Sequence, residues 1–214
     1  MPERRGDSPR GSAPLYIECL IAAPMSRVWE LTQDPAQHVR WDARFTQIVP
    51  TLAREDGAQE FRYELRLPVG TIRGTGVSLG ERRAANGGRT SALVFSAQSR
   101  LSPIARGRGY WRYLPVDGGV RFLTGYDYTP GWGVIGRLLD PVITRPVIRW
   151  LTALSFDRLR IWIETGTPPE RLGWWRTLLP GRHPRPRARR CLTRPPGRGG
   201  EVMDSAPATL GRLR

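Results

Sequence analysis

The chain has 214 residues, with 34 arginines and no lysine against 19 acidic residues, two histidines and a formal net charge of +15. A basic excess of that size raises nucleic acid or an anionic membrane as partners, yet eleven of the arginines lie from Arg171 onward, against only Glu201 and Asp204. Two separated histidines and two separated cysteines argue against a metal cluster or a disulfide framework, and no uncharged run approaches the roughly 18 to 20 residues of a membrane-spanning helix.

Residues 1–13 and 166–214 are rich in Pro, Gly and Arg and poor in branched aliphatics. Such stretches bury too little to offset the entropy of ordering. They are expected to be disordered ends around one domain of about 150 residues, spanning 14–165. Cys19 falls in the first strand and Cys191 in the basic tail, so no disulfide is expected between them. The stretch LYIECLIAAP is broken by Glu18 and does not form a secretory signal, which predicts a cytoplasmic setting with peripheral membrane attachment left open.

In chain order, Leu15–Ala22 reads as a first strand. Pro24 then opens a helix over Met25–Thr32, and Asp34-Pro35 caps a second short one over Pro35–Val39. From Phe45 the period changes to two. Phe45–Leu52 and Gln59–Leu67 flank the hairpin signal Asp56-Gly57, and along the return strand Phe61, Tyr63, Leu65 and Leu67 face one way while Arg62, Glu64 and Arg66 face the other. Thr71–Leu79 follows, with Gly74 and Gly76 suggesting a bend or bulge. Thr90–Ser99, Ile104–Leu114 and Val120–Tyr128 complete the strands, the last with Phe122, Thr124, Tyr126 and Tyr128 on one face.

The segment from Gly131 to Glu164 is the major helix. Pro141 and Pro146 cannot both sit inside a regular helix, so the prediction is a leading helix over 133–141 and a main helix over 144–164, N-capped by Thr144 and stopped at Gly166. Its apolar stripe, Ile143, Val147, Trp150, Leu154 and Ile161, has helical spacing and is expected to face the core. A curved antiparallel sheet of about seven strands around a long C-terminal helix, with two short helices after the first strand, is an α+β layer solution. The gap between sheet and helix is the natural ligand site.

The segment IECLIAAPMSRVWELTQDPAQHVRWD, with Ala23, Pro24, Val28, Trp29, Asp34, Pro35, Trp41 and Asp42, resembles the opening of the polyketide cyclase and START-related superfamily, SRPBCC, whose fold is the helix grip. Over residues 14–165 the resemblance implies that fold and a cavity for an apolar molecule. The group includes lipid and sterol carriers and aromatase/cyclases, with no shared catalytic motif to carry over. Trp29 and Trp41 read as packing residues.

The expected cavity lining is Phe61, Tyr63, Leu65, Trp111, Tyr113, Phe122, Thr124, Tyr126, Tyr128, Val147, Trp150 and Leu154. His38 reads as a surface or loop histidine, and Glu64 and Asp127 as outward acids balancing arginines. No catalytic residue, metal or cofactor is assigned. The functional reading is binding or carriage of a lipid, isoprenoid or polyketide-like molecule. The alternatives are a cyclase or dehydratase acting through tyrosine or arginine, and a peripheral protein held on an anionic membrane by the Trp174-Trp175 tail. The tail lacks stacking platforms and base-reading motifs, which speaks against nucleic acid.

Overall fold

A computed structural model describes residues 14–172, 184–196 and 202. Seven antiparallel strands form one sheet in the order β1-β7-β6-β5-β4-β3-β2. They are β1 (Leu15–Ile21), β2 (Gln47–Ala53), β3 (Gln59–Leu67), β4 (Gly70–Arg83), β5 (Arg89–Ala97), β6 (Ile104–Val116) and β7 (Gly119–Pro130). Helices α1 (Met25–Gln33) and α2 (Pro35–Trp41) follow β1, and α3 (Gly133–Leu139) and α4 (Arg145–Thr165) follow β7. Asp34 caps α2 through its carboxylate, which accepts from the Ala36 amide.

The period-two faces lie where alternation puts them. Tyr63 pairs with Gly74, Phe122 with Tyr113 and Tyr126 with Gly109, which sets Phe61, Tyr63, Leu65, Phe122, Thr124, Tyr126 and Tyr128 on the concave surface. Gly74 and Gly76 make room for rings: a Cβ at either would lie within 2.3 Å of the Tyr63 or Phe61 ring on the neighbouring strand. The β4 irregularity falls instead between Ser78 and Gly80.

At the α1–α2 end the space between sheet and helix is filled. Phe122 stacks on Phe156 at 4.4 Å and on Tyr113 at 4.9 Å, and the fully buried Trp41 meets both phenylalanines edge-on. The Trp41 indole donates to the Leu31 carbonyl at 2.9 Å, so the largest ring of the core is also hydrogen-bonded.

Three expectations need correction. Thr144 does not cap α4: it is helical, and a π-helical turn over Asp140–Thr144 joins α3 to α4 without a break. The Arg145 amide reaches back five residues to the Asp140 carbonyl. This wider turn passes over the missing Pro141 donor, while Pro146 falls in the first turn of α4. Gly166 does end the helix, in the left-handed conformation.

The second correction concerns the tail, where residues 184–196 lie on the domain. Leu192 and Glu18 exchange two backbone hydrogen bonds of 2.9 Å along the edge of β1. Asp157, fully buried in α4, accepts from the Arg187 amide at 2.7 Å and from Arg190 at 3.2 Å. Cys191 is buried in the same core cluster as Cys19, both as free thiols. The local composition that predicts disorder is overridden because one buried carboxylate supplies acceptors to the Arg187 amide and the Arg190 side chain. Asp157→Ala is expected to free amide exchange at Leu192 and Glu18 while leaving β3–β5 protected, as read by hydrogen–deuterium exchange.

The third is the face of the main helix. Val147 and Trp150 are 47% and 45% exposed. Ile143 is exposed too, whereas Leu154 and Ile161 of the expected stripe are buried; over the first turns the inward positions are Thr144, Ile148 and Thr152, and farther along Phe156 and Leu159 join them.

Candidate functional site

α4 rests mainly on β1, α2 and the docked tail turn rather than on β3–β5. Beyond the filled aromatic end, Phe45, Ile48, Phe61 and Leu65 remain half-buried on the concave side, while Tyr63, Tyr126, Tyr128 and Ile148 are buried around them. Phe45 meets Tyr63 edge-on at 5.5 Å. Large apolar side chains that keep part of their surface on the inner face form an incompletely covered apolar wall.

A polar cluster stands at its head. The loop after α2 carries Asp42 and Arg44, and the side-chain spacing of two lets the guanidinium fold back onto the carboxylate in a bidentate pair. Nε lies 2.9 Å from Oδ1 and Nη2 lies 2.6 Å from Oδ2. His38, one turn earlier in α2, lies 3.0 Å from Asp42 Oδ2 through Nε2. An ionised carboxylate only accepts, so Nε2 carries the proton. Thr152 of α4 donates its hydroxyl hydrogen to the Ile148 carbonyl at 2.8 Å. Its oxygen therefore accepts both from Arg44 Nη1 and from the Tyr126 hydroxyl, each at 3.2 Å. The Asp42 side chain has no exposed surface, whereas Arg44 keeps 21%, so what surface the pair shows belongs to Arg44.

Burial alone would raise the Asp42 carboxyl, but the charge and hydrogen bonds of Arg44, with His38 behind, hold it well below the usual carboxylate range. Burial works against the Arg44 charge too, and Asp42 outweighs it, so the guanidinium is held more firmly than usual. The pair is thus ionised and close to neutral in sum. Burial pushes the Tyr63 hydroxyl up to about 12. It also raises Tyr126 against the opposing charge of Arg44. Tyr128 is raised by burial and by its 2.5 Å bond to Asp140, which Arg145 engages at 3.2 Å from the other side. All three tyrosines keep their protons at neutral pH and act as hydrogen-bond donors.

Of the expected lining, Phe61, Tyr63 and Leu65 share the inner face of β3, and Tyr126 and Tyr128 that of β7. Trp111, Tyr113 and Phe122 belong to the filled core, with the Tyr113 hydroxyl held by Thr32 and Gln33 of α1. The Thr124 hydroxyl is bonded to the Tyr110 carbonyl, and Leu154 is buried. Val147 and Trp150 lie outside. His38 is no loop histidine: it sits in α2 among the rings of Trp41, Phe45 and Trp111 at 4.8–5.3 Å. Sequence reasoning passed over His38, Asp42, Arg44, Asp140, Arg145 and Thr152. The four-residue spacing of His38 and Asp42 and the two-residue spacing of Asp42 and Arg44 were the available signals. Glu64 does pair with an arginine, Arg73, at 3.0 Å. Two surface hollows of about 510 and 380 Å³ lie elsewhere, beside the β4–β5 and β6–β7 turns. Among the described residues no cluster of three or more His, Cys, Asp or Glu is placed to hold a metal ion, and no helix is long and apolar enough to cross a membrane.

No family model matches the chain. It is 38% identical over 160 residues to a Bacillus subtilis (strain 168) protein named uncharacterized membrane protein YndG, an overlap of 74% of this chain and 60% of that protein. The chain therefore spans less than two thirds of the length of that curated relative. Among solved structures it is similar to the STAR-related lipid transfer protein of Xanthomonas axonopodis, with a TM-score of 0.52, 17% identity, and 69% and 84% of the two chains covered. It is also similar to the Zhui aromatase/cyclase of Streptomyces sp. R1128, with a TM-score of 0.50, 14% identity, and 72% and 98% covered. The likeness to both, over about 70% of this chain, is one of fold: a seven-stranded antiparallel sheet, short helices after β1 and a long closing α4 make the chain a helix-grip fold.

Proposed function

We propose that the cleft between α4 and the β2–β4 half of the sheet binds or carries an apolar small molecule of lipid, isoprenoid or polyketide-like class. The observation that carries this reading is the set of half-buried Phe45, Phe61 and Leu65 on the inner face, beside a charge-balanced polar head at Arg44, Tyr126 and Thr152. Apolar burial supplies the affinity: a ligand covering about 200 Å² of this wall would gain about 5 kcal/mol before ordering costs. Because Asp42 already balances Arg44, the head suits a neutral carbonyl or hydroxyl better than a free carboxylate.

The cyclase or dehydratase alternative needs a group that exchanges protons near neutrality. The raised hydroxyls of Tyr63, Tyr126 and Tyr128 favour holding a ligand over abstracting its protons. Attachment to an anionic membrane through the tail is a separate reading, supported by the name of the Bacillus relative; Trp174 and Trp175 lie outside the described residues.

Native mass spectrometry of gently purified full-length chain is expected to show a copurifying apolar compound, and Leu65→Arg to reduce its occupancy at least fivefold with little change in unfolding temperature. Tyr126→Phe should change occupancy less than threefold. A chain that emerges empty and takes up nothing from a lipid library would end the proposal.

A further inference from the structure

The segment from Trp132 to Trp150 is amphipathic in the reverse of the usual sense. Its buried positions are Gly136, Asp140, Thr144, Arg145 and Ile148, mostly small or polar. Its outward positions include Ile135, Leu138, Val142, Ile143, Val147 and Trp150, exposed by between 45% and 71%. A helix that lay only against its own domain would carry the apolar stripe inward. Here an aqueous face carries it, and a contiguous apolar ridge of this kind marks a surface that meets another phase or partner.

The neighbouring turns continue it. Trp132 is held in the left-handed conformation, the only non-glycine residue with positive φ among those described, and its indole donates to the Arg100 carbonyl at 2.8 Å. That bond pins the β5–β6 loop, with exposed Leu101, against the start of α3; Leu101 in turn lies beside Gly70 in the β3–β4 turn, where Val69 is 80% exposed. Exposed apolar side chains therefore continue across the end of the domain at which β3, β5 and β7 finish.

Its charge is one-sided. From Gly131 to Thr152 the sole acid is Asp140, buried and bonded to Tyr128 and Arg145, and the turns 67–70 and 98–103 contain no acid. Arg100, Arg137 and Arg149 are exposed around the ridge. Aliphatic side chains on one face, tryptophans at both margins and arginines free to reach outward match the layers of a lipid surface: acyl chains, headgroup boundary and phosphate. The segment 1–13, MPERRGDSPRGSA, has no large apolar side chain beyond Met1 with which to cover the ridge.

We propose that this end of the domain, the outer face of α3, the π-helical turn and the first turns of α4, docks on an anionic lipid bilayer. The surface is distinct from the tail and does not depend on the small-molecule reading, since vesicles alone test it. In flotation, full-length chain is expected to rise with vesicles of phosphatidylcholine mixed with phosphatidylglycerol and to do so less with phosphatidylcholine alone. The triple change Ile135→Asp, Leu138→Asp and Val142→Asp, at exposed positions that leave the core intact, should lower binding at least tenfold with an unchanged unfolding temperature. Arg137→Gln and Arg149→Gln should each weaken binding to the anionic vesicles by about fivefold, and added salt should do likewise. Trp174→Ser with Trp175→Ser should leave flotation in place. The proposal is overturned if native chain floats with neither vesicle, if the aspartate variant floats as well as native, or if the tail variant alone abolishes binding. A concentration-dependent dimer that the aspartate changes dissolve, with native chain staying off vesicles, would assign the ridge to a second copy and equally overturn it.

Discussion

Asp42→Asn should lower stability by about 3 kcal/mol and the unfolding temperature by roughly 6–12 °C, the largest effect expected from any single polar substitution in this chain. The amide keeps the shape but removes the charge that two bonds of the Arg44 guanidinium, at 2.6 and 2.9 Å, are built around. What remains is a largely buried cation whose neighbours, the new amide, Thr152 and Tyr126, carry no compensating charge. Adding Arg44→Met should recover most of the loss, because an apolar side chain of similar length needs no counter-ion. Thermal unfolding followed by circular dichroism measures both, and equal midpoints for native chain and Asp42→Asn would refute the account.

The pH dependence has a definite sign. The folded carboxyl of Asp42 takes up a proton less readily than the unfolded one, so acid favours the unfolded chain. The contribution of the pair is complete above the unfolded carboxylate pKa of about 3.9 and is lost progressively as pH falls below it toward the depressed folded value. The gap in stability between native chain and Asp42→Asn should accordingly be constant near neutrality and narrow below about pH 4.

Phe122→Ala should cost about 3–5 kcal/mol by opening a void that rigid neighbours cannot close. Phe122 has no exposed surface and touches four rings: Phe156 and Tyr113 stacked, Trp111 and Trp41 edge-on. Its neighbours sit on three separate elements, so no single shift refills the space. Phe122→Leu, which retains most of the volume, should lose less than half as much. In urea the midpoint should fall with the slope unchanged, since the surface exposed on unfolding is nearly the same. A loss under about 1 kcal/mol would mean that the aromatic end is loosely packed.

The strands were legible because a sheet with one buried face writes its orientation into every second residue. The alternation of Phe61, Tyr63 and Leu65 against Arg62 and Glu64 is the same in sequence and in space. The hairpin residues Asp56-Gly57 likewise stand at a turn, with Gly57 at φ of 82°. The candidate site was less legible. Its polar head joins residues 42 and 44 to residues 126 and 152, and no local pattern announces a contact across more than a hundred positions.

By itself the sequence determined the layer arrangement of this protein, a curved antiparallel sheet closed by a late helix, since periodicity and turn chemistry are local properties that survive in any context. The tertiary structure alone decided which side of that helix meets the sheet. The stripe of Ile143, Val147 and Trp150 has the spacing of a core face, yet Tyr128 and Arg44 reach the helix from β7 and the loop after α2 and require polar partners there. Asp140, Arg145 and Thr152 supply them, so up to Thr152 the segment turns its hydrogen-bonding residues inward and carries its apolar stripe outside, while beyond it Leu154, Phe156, Leu159 and Ile161 are buried.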